Sequence, residues 1–400
     1  MTPTATHPPL AAPRHTALGR LTEDPAAFAA DLPTTPRLRR AAGDFHDLFG
    51  LADIDSLLTD RALRRPAFRV IRDGRQVDDT SCLHGGLLHP DVADPRKISG
   101  LLAQGATLVL QGLQELTGPL AAFGRRLGHD LGRPVNVNAY LTPAGSQGFG
   151  DHYDTQDSFI VQIHGTKQWT LKDPVVTQPL SHETGRTPPR DDGTGRTLTL
   201  EPGDCLWLPR GWIHSARSTD TASLHLTISL YEWTGHWAWT RIAARAGGLP
   251  GRFPLSTDFF RDRTAAERDM ARLRTELIQW LSTADDSALA DLVRAAGAPE
   301  FPSPVRHPAR QALADGTDTA PDPDTEYTVD AHAVLGAETQ GDRLVLTLGA
   351  RGLTVPATLA PFLADLLTRD RFRPAQLPSP PGADTLLTRL RAEGVITPTP

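Results

Sequence analysis

Only two cysteines occur in the 400 residues, Cys82 and Cys205. Two thiols are too few for a disulfide framework or for an all-thiolate zinc site, so a metal bound here must rest on histidine and carboxylate ligands. Lysine is also rare, with Lys97, Lys167 and Lys172 standing against 38 arginines. A lysine that persists under such a bias is a candidate for a specific role.

The chain also lacks an excess of charge of one sign and lacks any long apolar run. The formal net charge is −6 and the pI is near 6.2, so no global basic surface predicts nucleic-acid binding. No stretch approaches the about 18 apolar residues of a membrane span, and the N-terminus lacks the apolar core of a signal peptide. We therefore expect a cytoplasmic protein with no membrane partner. The length and the 39% of hydrophobic residues predict two or three domains.

The first half of the chain reads as a β-rich domain that follows a flexible tail. Residues 1–20 have the Pro/Ala/Thr composition of a tail, and residues 21–233 form the predicted domain. Helix and strand patterns alternate there until short β-runs, separated by Gly, Pro and Asp turns, dominate from residue 135. This rhythm is typical of a β-barrel or jelly roll. Residues 174–196 show no periodicity and predict a long surface loop.

The second half changes to helical spacing. Residues 234–300 predict a helical region with an apolar stripe that consists of Met270, Leu273, Leu277 and Leu281. Because this stripe has no obvious partner within the chain, we expect it to form a homodimer. Residues 301–325 read as a Pro/Asp-rich linker, and residues 326–400 as a small winged-helix-like domain. Its eight acidic and seven basic side chains argue against DNA binding.

Two short segments carry the chemistry. Gly150-Asp151-His152-Tyr153-Asp154 stands at a turn before a strand, and Pro209-Arg210-Gly211-Trp212-Ile213-His214 follows about sixty residues later. If the segment is extended, His152 and Asp154 point to one side while Tyr153 points away. A lone His-x-Asp pair is more often a surface turn, but here a buried apolar strand and a tight turn present the second histidine. Two histidines and one carboxylate are the facial set that non-heme iron(II) oxygenases use.

Aromatic residues surround these motifs. Phe159, Trp169, Trp207 and Trp212 are interpreted as core residues, and the Ala144–Gly150 segment as a flexible loop over the site.

With these motifs the chain resembles the cupin-like JmjC oxygenases, which include the ribosomal oxygenases. The resemblance runs from about residue 30 to the end and is densest over NVNAYLTPAGSQGFGDHYDTQDSFIVQIHGTKQWTL and from LPRGWIHSA to SLHLTISLYEW. It implies a mixed, mainly β fold, in which a double-stranded β-helix (JmjC/cupin) barrel precedes a helical dimerisation region and a C-terminal winged-helix-like domain. It also implies hydroxylation of a His or Arg side chain in a protein or peptide, with a ribosomal protein as the family's usual substrate.

The resemblance further implies Fe(II) and O2 as cofactors and 2-oxoglutarate as cosubstrate. The family's metal ligands fall on His152, Asp154 and His214. Its cosubstrate cation, fifteen residues after the first histidine, falls on Lys167. A cation suits that position because the distal carboxylate of 2-oxoglutarate needs a charged partner in a poorly solvated barrel. Three further positions match residues that line the cosubstrate pocket: Asn138, Tyr140 and Thr227.

Other functions remain open. The same chemistry could act on a ribosomally made natural-product peptide, a small metabolite or a methylated lysine. The chain could instead be a non-catalytic cupin that binds a ligand, although an intact triad together with Lys167 argues against that reading. The modules beyond the barrel predict a wide platform, which favours a protein or peptide substrate.

Overall fold

The computed structural model describes most of the chain, namely residues 17–85, 89–183, 195–245, 254–300, 320–349 and 351–399. The chain has two compact units, one formed by Pro9–Glu232 and the other including Trp233–Pro400. No helix among the described residues is long and apolar enough to cross a membrane. Most of the predicted tail (1–16), surface loop (184–194) and linker (301–319) lies outside the described residues.

Antiparallel strands dominate the first unit. They are β1 (Arg37–Arg39), β2 (Phe68–Arg72), β3 (Arg75–Gln76), β4 (Thr107–Leu110), β5 (Val135–Thr142), β6 (Ser158–His164), β7 (Lys167–Lys172), β8 (Arg196–Leu200), β9 (Cys205–Leu208), β10 (Ile213–Ser218) and β11 (Ser223–Leu230). Eight of them form a sheet in the order β1-β9-β6-β11-β5-β4-β2-β3, and the other three form a small sheet in the order β10-β7-β8. Strand patterns in the sequence predicted β2, β4 to β9 and β11, while β10, the strand that carries His214, was not among them.

Strand alternation divides the large sheet into two faces. On β11, Leu224, Leu226, Ile228 and Leu230 belong to the main apolar core. The alternate residues Ser223, His225, Thr227 and Ser229 are polar and also buried. The face of the large sheet that carries these polar residues also packs against the small sheet through a second apolar cluster. The cluster consists of Ile160, Leu206 and Leu208 from the large sheet and Trp169, Leu171 and Leu200 from the small sheet. The polar residues therefore line the space between the two sheets.

Helices cover the apolar face of the large sheet. They are α1 (Leu18–Leu21), α2 (Pro25–Ala30), α3 (Leu51–Thr59), α4 (Pro95–Ala103), α5 (Leu113–Leu116) and α6 (Gly118–Leu131). Asp94 starts α4 by accepting hydrogen bonds from the backbone N–H groups of Arg96 and Lys97, and Pro95 occupies the first turn. Gly132 ends α6 in the left-handed conformation, with φ 62°.

The predicted tail ends earlier than residue 20. Ala17 and Leu18 are buried, and their backbone N–H groups donate to Asp130 Oδ2 at 3.1 and 3.0 Å. The sequence could not indicate this anchor because Asp130 lies more than 100 residues away along the chain.

The second unit begins with helices, as predicted. They are α7 (Gly235–Arg245), α8 (Arg263–Thr283) and α9 (Asp286–Gly297). Of the predicted stripe on α8, Met270 and Leu277 are exposed, at 45% and 41%, whereas Leu273 and Leu281 are partly buried. Ile278 is 60% exposed on the same helix. Helix α8 thus leaves apolar side chains in contact with solvent.

The C-terminal part of this unit mixes small sheets with two helices. Its elements are β12 (Tyr327–Val329), β13 (Gly336–Gln340), β14 (Arg343–Leu348), β15 (Arg351–Pro356), α10 (Ala360–Leu367), β16 (Arg371–Phe372), α11 (Ala383–Ala392) and β17 (Ile396–Pro398). Strands β13, β14 and β15 form one antiparallel sheet, and β16, β12 and β17 form another. The winged-helix-like assignment of residues 326–400 stays a prediction.

Candidate metal centre

Backbone pairing brings the two predicted metal-binding histidines together. His152 lies in the loop between β5 and β6, and the backbone N–H groups of His152 and His214 each donate to the other's carbonyl, at 3.0 and 2.7 Å. The motif therefore stands in a loop before β6, which begins at Ser158, and an isolated bridge rather than a strand holds it to His214. The local alternation still holds: Tyr153 points away and donates its hydroxyl to the Glu183 carbonyl at 3.0 Å.

Hydrogen bonds to the backbone orient both imidazole rings. The Nδ1 atom of His152 lies 2.8 Å from the Gly150 carbonyl oxygen, and Nδ1 of His214 lies 3.0 Å from the Trp212 carbonyl oxygen. Because a carbonyl oxygen can only accept, each Nδ1 must carry the proton. Each Nε2 then keeps a free lone pair for a cation, which is the usual arrangement around metal-binding histidines.

The three predicted ligand side chains converge on one point. One ligand atom from each of His152, Asp154 and His214 lies within 4.8 Å of the others. His214 Nε2 and Asp154 Oδ2 are 3.7 Å apart, and the two imidazole ring centres are 4.3 Å apart. Burial lowers the pKa of His214 to about 4. The ring is therefore neutral near pH 7, which is the form that binds a metal.

The Pro209-Arg210-Gly211 turn holds the segment that carries Asp154 in place through hydrogen bonds. The Gly211 N–H donates to the Asp154 carbonyl at 2.9 Å, and the Arg210 N–H donates to Asp157 Oδ1 at 2.8 Å. Glu232 lies beside this turn, where burial and the nearby Asp157 raise its pKa to about 7. The Pro-Arg-Gly turn thus binds the segment that carries Asp154 and leads into β10, which carries His214.

Lys167 lines the same cavity as the three candidate ligands. Its side chain is 3% exposed, Nζ donates to Thr142 Oγ1 at 2.9 Å, and His225 Nδ1 is 3.5 Å away. No carboxylate pairs with Lys167 in the described part of the chain. Burial without a counter-ion lowers the pKa of Lys167 to about 7. Such an amine gains substantially from an anionic ligand, since an unpaired buried charge is costly.

The cavity that joins these groups has a volume of about 270 Å³. Of the predicted cosubstrate residues, Lys167, Tyr140 and Thr227 line it. Asn138 does not line the cavity: its Oδ1 accepts hydrogen bonds from Gly112 N–H and Asn136 Nδ2, at 3.2 and 3.3 Å. Asn138 interacts with Tyr140, which does line the cavity. Burial raises the pKa of Tyr140, and the hydrogen bond with Asn138 offsets a smaller part of that increase.

Several lining residues escaped the sequence analysis. Thr142 and His225 are each two residues from a predicted position, on the same strand face as Tyr140 and Thr227, so period-two alternation could have identified them. His225 is buried and stacks on the Tyr140 ring with centroids 4.9 Å apart. Trp169, interpreted as core, lines the cavity as well and lies 5.9 Å from the His214 ring. Phe159 and Trp207 do lie in the main core.

Arg69 on β2 was also missed. It is a charged residue within the otherwise apolar run Phe68-Arg69-Val70-Ile71, and it lines the cavity beside Tyr140 and Phe149. Phe68 and Val70 pack into the core, so alternation turns Arg69 to the opposite face of the sheet.

With this geometry established, similarity to known proteins becomes informative. Residues 126–237 match the family model of the JmjC domain. This segment is similar to JmjC domains. The matched range includes β5 to β11 and all three predicted metal ligands, so the resemblance inferred from the motifs is confirmed. The two antiparallel sheets that enclose the site are those of the JmjC/cupin fold.

Curated relatives match part of this chain and a smaller share of their own length. Human ribosomal oxygenase 1 is 34% identical over 195 residues, which cover 47% of this chain and 29% of that protein. Mouse ribosomal oxygenase 2 is 46% identical over 105 residues, which cover 26% of this chain and 22% of the relative. A Dictyostelium discoideum protein named bifunctional lysine-specific demethylase and histidyl-hydroxylase NO66 is 45% identical over 101 residues, or 24% of this chain and 20% of its own. The chain thus spans less than a third of the length of these relatives.

Solved structures show the same fold over a longer range. The crystal structure of Escherichia coli ribosomal oxygenase YcfD matches with a TM-score of 0.53 and covers 95% of this chain and 99% of its own. A YcfD structure in complex with cobalt and 2-oxoglutarate matches with a TM-score of 0.52, over 94% of this chain and 98% of its own. Both are 16% identical to this chain, so the likeness is one of fold.

Proposed function

We propose that this chain is an Fe(II)- and 2-oxoglutarate-dependent oxygenase that hydroxylates a side chain in a protein or peptide. One observation carries the proposal. A single cavity joins a cluster of two histidines and one carboxylate to a buried lysine that has no carboxylate partner among the described residues. The first feature suits a divalent metal with open coordination positions, and the second suits the distal carboxylate of 2-oxoglutarate.

The residues present fit both groups. His152, Asp154 and His214 would hold Fe(II), because both Nε2 atoms are free and the carboxylate lies within reach. Iron held there would, with O2 and 2-oxoglutarate, supply the oxidising power for hydroxylation of a C–H bond, coupled to conversion of 2-oxoglutarate to succinate and CO2. Lys167 and the Thr142 hydroxyl would bind the distal carboxylate. The apolar side chains of Ile160, Trp169 and Leu208 would limit access of water to the cavity.

The substrate part of the proposal is a His or Arg side chain, with a ribosomal protein as the first candidate. The names of the relatives, ribosomal oxygenase and histidyl-hydroxylase, support it. The same chemistry on a natural-product peptide, a small metabolite or a methylated lysine is the alternative, and one relative is also named as a lysine demethylase. A non-catalytic cupin is the second alternative. The complete set of three candidate metal ligands, together with Lys167 in the same cavity, argues against it.

The remaining parts of the proposal concern assembly and location. We propose that the region 234–300 forms a homodimer, supported by the exposed Met270, Leu277 and Ile278 of α8. The winged-helix-like assignment of residues 326–400, together with a cytoplasmic location, belongs to the same proposal. Nucleic acid is not expected as a partner, given the balanced charge of that domain.

Incubation of the iron-loaded protein with 2-oxoglutarate and candidate peptides tests the function. We expect succinate release together with a peptide mass gain of one oxygen atom. His214→Ala should abolish both, because it removes a metal ligand. His164→Ala serves as the matched control, since His164 is exposed at the end of β6, outside the cavity. Activity that persists in the His214 variant, or that is lost equally in the His164 variant, would contradict the assignment.

A further inference from the structure

Arg69 occupies an unusual position for an arginine. It lines the metal cavity with its guanidinium group 5.4 Å from the centre of the Phe149 ring, and the Phe149 ring itself lies 5.6 Å from that of His152. Stacking on an aromatic ring fixes the plane of a guanidinium group without satisfying its N–H donors. The cation is thus held in place a short distance from the predicted metal ligands.

The hydrogen-bonding capacity of Arg69 is incompletely used. Its Nε–H is buried and has no acceptor in the described part of the chain. Within the same residues, no carboxylate forms an ion pair with the guanidinium group. A buried donor without an acceptor is rare in folded proteins and is expensive to maintain. The Nε–H and the adjacent Nη–H form the fork that binds a carboxylate through two parallel hydrogen bonds.

Tyr140 adds a second donor at the same place. Burial and the nearby Asp154 raise the pKa of Tyr140 to about 12, while Arg69 and Asn138 oppose that increase by hydrogen bonding to its oxygen. The phenol therefore stays protonated at neutral pH. Because Arg69 can only donate to the Tyr140 oxygen, the hydroxyl proton remains available for a ligand.

The charge balance of the cavity decides which ligand fits. Arg69, Asp154 and Lys167 are the charged residues, other than histidine, among its described lining. A divalent metal and the dianion 2-oxoglutarate cancel each other, and Asp154 cancels Lys167. Burial and Lys167 together lower the pKa of His225 well below its usual value, so that ring is neutral. Arg69 alone remains as surplus positive charge, and a second carboxylate would neutralise it.

We propose that Arg69 and Tyr140 form a second anion subsite of this cavity, which binds a carboxylate of the substrate. The carboxylate would come from an acidic side chain or from the C-terminus of a peptide. This inference rests on the proposed function, because it takes metal and 2-oxoglutarate to share the cavity. It also narrows that function, since a cationic arginine target would be repelled by Arg69 whereas a neutral target beside an acidic group would be favoured.

Paired peptide probes test the subsite without turnover. The protein is loaded with Mn(II) and saturating 2-oxoglutarate under nitrogen. Calorimetry then measures binding of capped Gly-Asp-Gly and Gly-Glu-Gly peptides against their Gly-Asn-Gly and Gly-Gln-Gly twins. We expect the wild-type protein to prefer the acids by roughly tenfold, the scale of one charge-assisted bidentate pair. Arg69→Gln should abolish the preference, and Arg69→Lys should keep part of it because it retains the charge but loses the fork.

Arg72→Gln is the matched control. Arg72 lies on the same strand with its side chain exposed and bonded to Gln104 Oε1 at 2.9 Å, so this variant should keep the full preference. Acids and amides that bind equally well, or not at all, would overturn the proposal, as would a preference that survives in Arg69→Gln.

The affinity for 2-oxoglutarate shows whether the carboxylate that binds Arg69 belongs to the substrate or to the cosubstrate. If Arg69 binds the substrate, 2-oxoglutarate affinity stays within about twofold of wild type in Arg69→Gln, well below the roughly tenfold loss of a charged contact. A tenfold loss of that affinity, with no preference for acidic peptides, would assign Arg69 to the cosubstrate and overturn the substrate proposal. Failure of the proposed function looks different: the wild-type protein would not bind 2-oxoglutarate, or Lys167→Met would not weaken its binding.

Discussion

Replacement of Lys167 by methionine should stabilise the ligand-free protein and, at the same time, weaken 2-oxoglutarate binding. The reason is that the buried amine has no carboxylate partner within the described residues, so its charge destabilises the folded protein until an anion binds. Burial lowers the pKa of Lys167 from 10.5 to about 7. At about 1.4 kcal/mol per pKa unit, the charged amine costs roughly 4 kcal/mol of folding free energy at neutral pH.

The sign of this effect follows from proton linkage. The folded state binds the proton less tightly than the unfolded state, so the cost is complete below pH 7 and disappears as the pH rises towards 10.5. The gain in unfolding free energy of Lys167→Met over wild type should shrink across that range. Loss of a charge-assisted hydrogen bond to the ligand should cost about 1.5–3 kcal/mol, so the 2-oxoglutarate Kd should rise roughly ten- to hundredfold.

Urea unfolding at a series of pH values, together with calorimetric titration of 2-oxoglutarate in the presence of Mn(II), measures both effects. Lys97→Met is the matched control. Lys97 is exposed and its Nζ donates to the carbonyls of Thr80 and Leu83, at 3.0 and 2.8 Å. Its loss should lower stability by about 1 kcal/mol and leave the Kd unchanged. A Lys167 variant that is less stable than wild type and binds 2-oxoglutarate normally would refute the reasoning.

Three further outcomes are expected. His152→Ala, Asp154→Ala and His214→Ala should each lose the thermal stabilisation that added Mn(II) gives to the wild-type protein, since each removes one of three ligands, whereas the exposed His164→Ala should keep it; a shift that survives in any of the three excludes that residue. Binding of 2-oxoglutarate above pH 7 should take up one proton at Lys167, so its Kd should rise by up to about tenfold per pH unit there, and the slope should vanish in Lys167→Met. Ile278→Arg on α8 should convert a dimer to a monomer in light scattering, with the exposed and charge-neutral Gln279→Ala as control; a wild-type monomer at micromolar concentration would count against the dimer.

Much of the site was accessible from the sequence because its chemistry needs specific residue types at fixed spacings. The His-x-Asp motif and the later Pro-Arg-Gly-Trp-Ile-His motif identified the three side chains that converge within 4.8 Å. The scarcity of lysine also drew attention to Lys167, which is buried in the same cavity. Thr142 and His225 could have been found by extending the strand alternation from Tyr140 and Thr227.

Other features required the assembled fold. The backbone pairing of His152 with His214 was not predicted, because an isolated bridge between distant segments leaves no local periodicity. Asn138 shares a strand face with Tyr140, yet hydrogen bonds to Gly112 and Asn136 hold it outside the cavity lining. Trp169 looked like a core residue because apolar side chains that line a cavity and those that fill a core have the same pattern.

The sequence by itself determined the chemical identities, namely two histidines, one aspartate and a rare lysine on β-rich segments, since ligand type and strand alternation are local properties. Only the tertiary structure decided which charges have partners. Arg133 pairs with Glu232 at 2.8 Å and Lys172 with Asp151 at 3.0 Å, whereas Lys167 and Arg69 line the cavity and form no ion pair with a carboxylate of the described residues. Pairing depends on contacts between residues far apart along the chain, and desolvation depends on the packing of both sheets. A buried charge that those contacts leave without an ion-pair partner is therefore a candidate to bind a ligand.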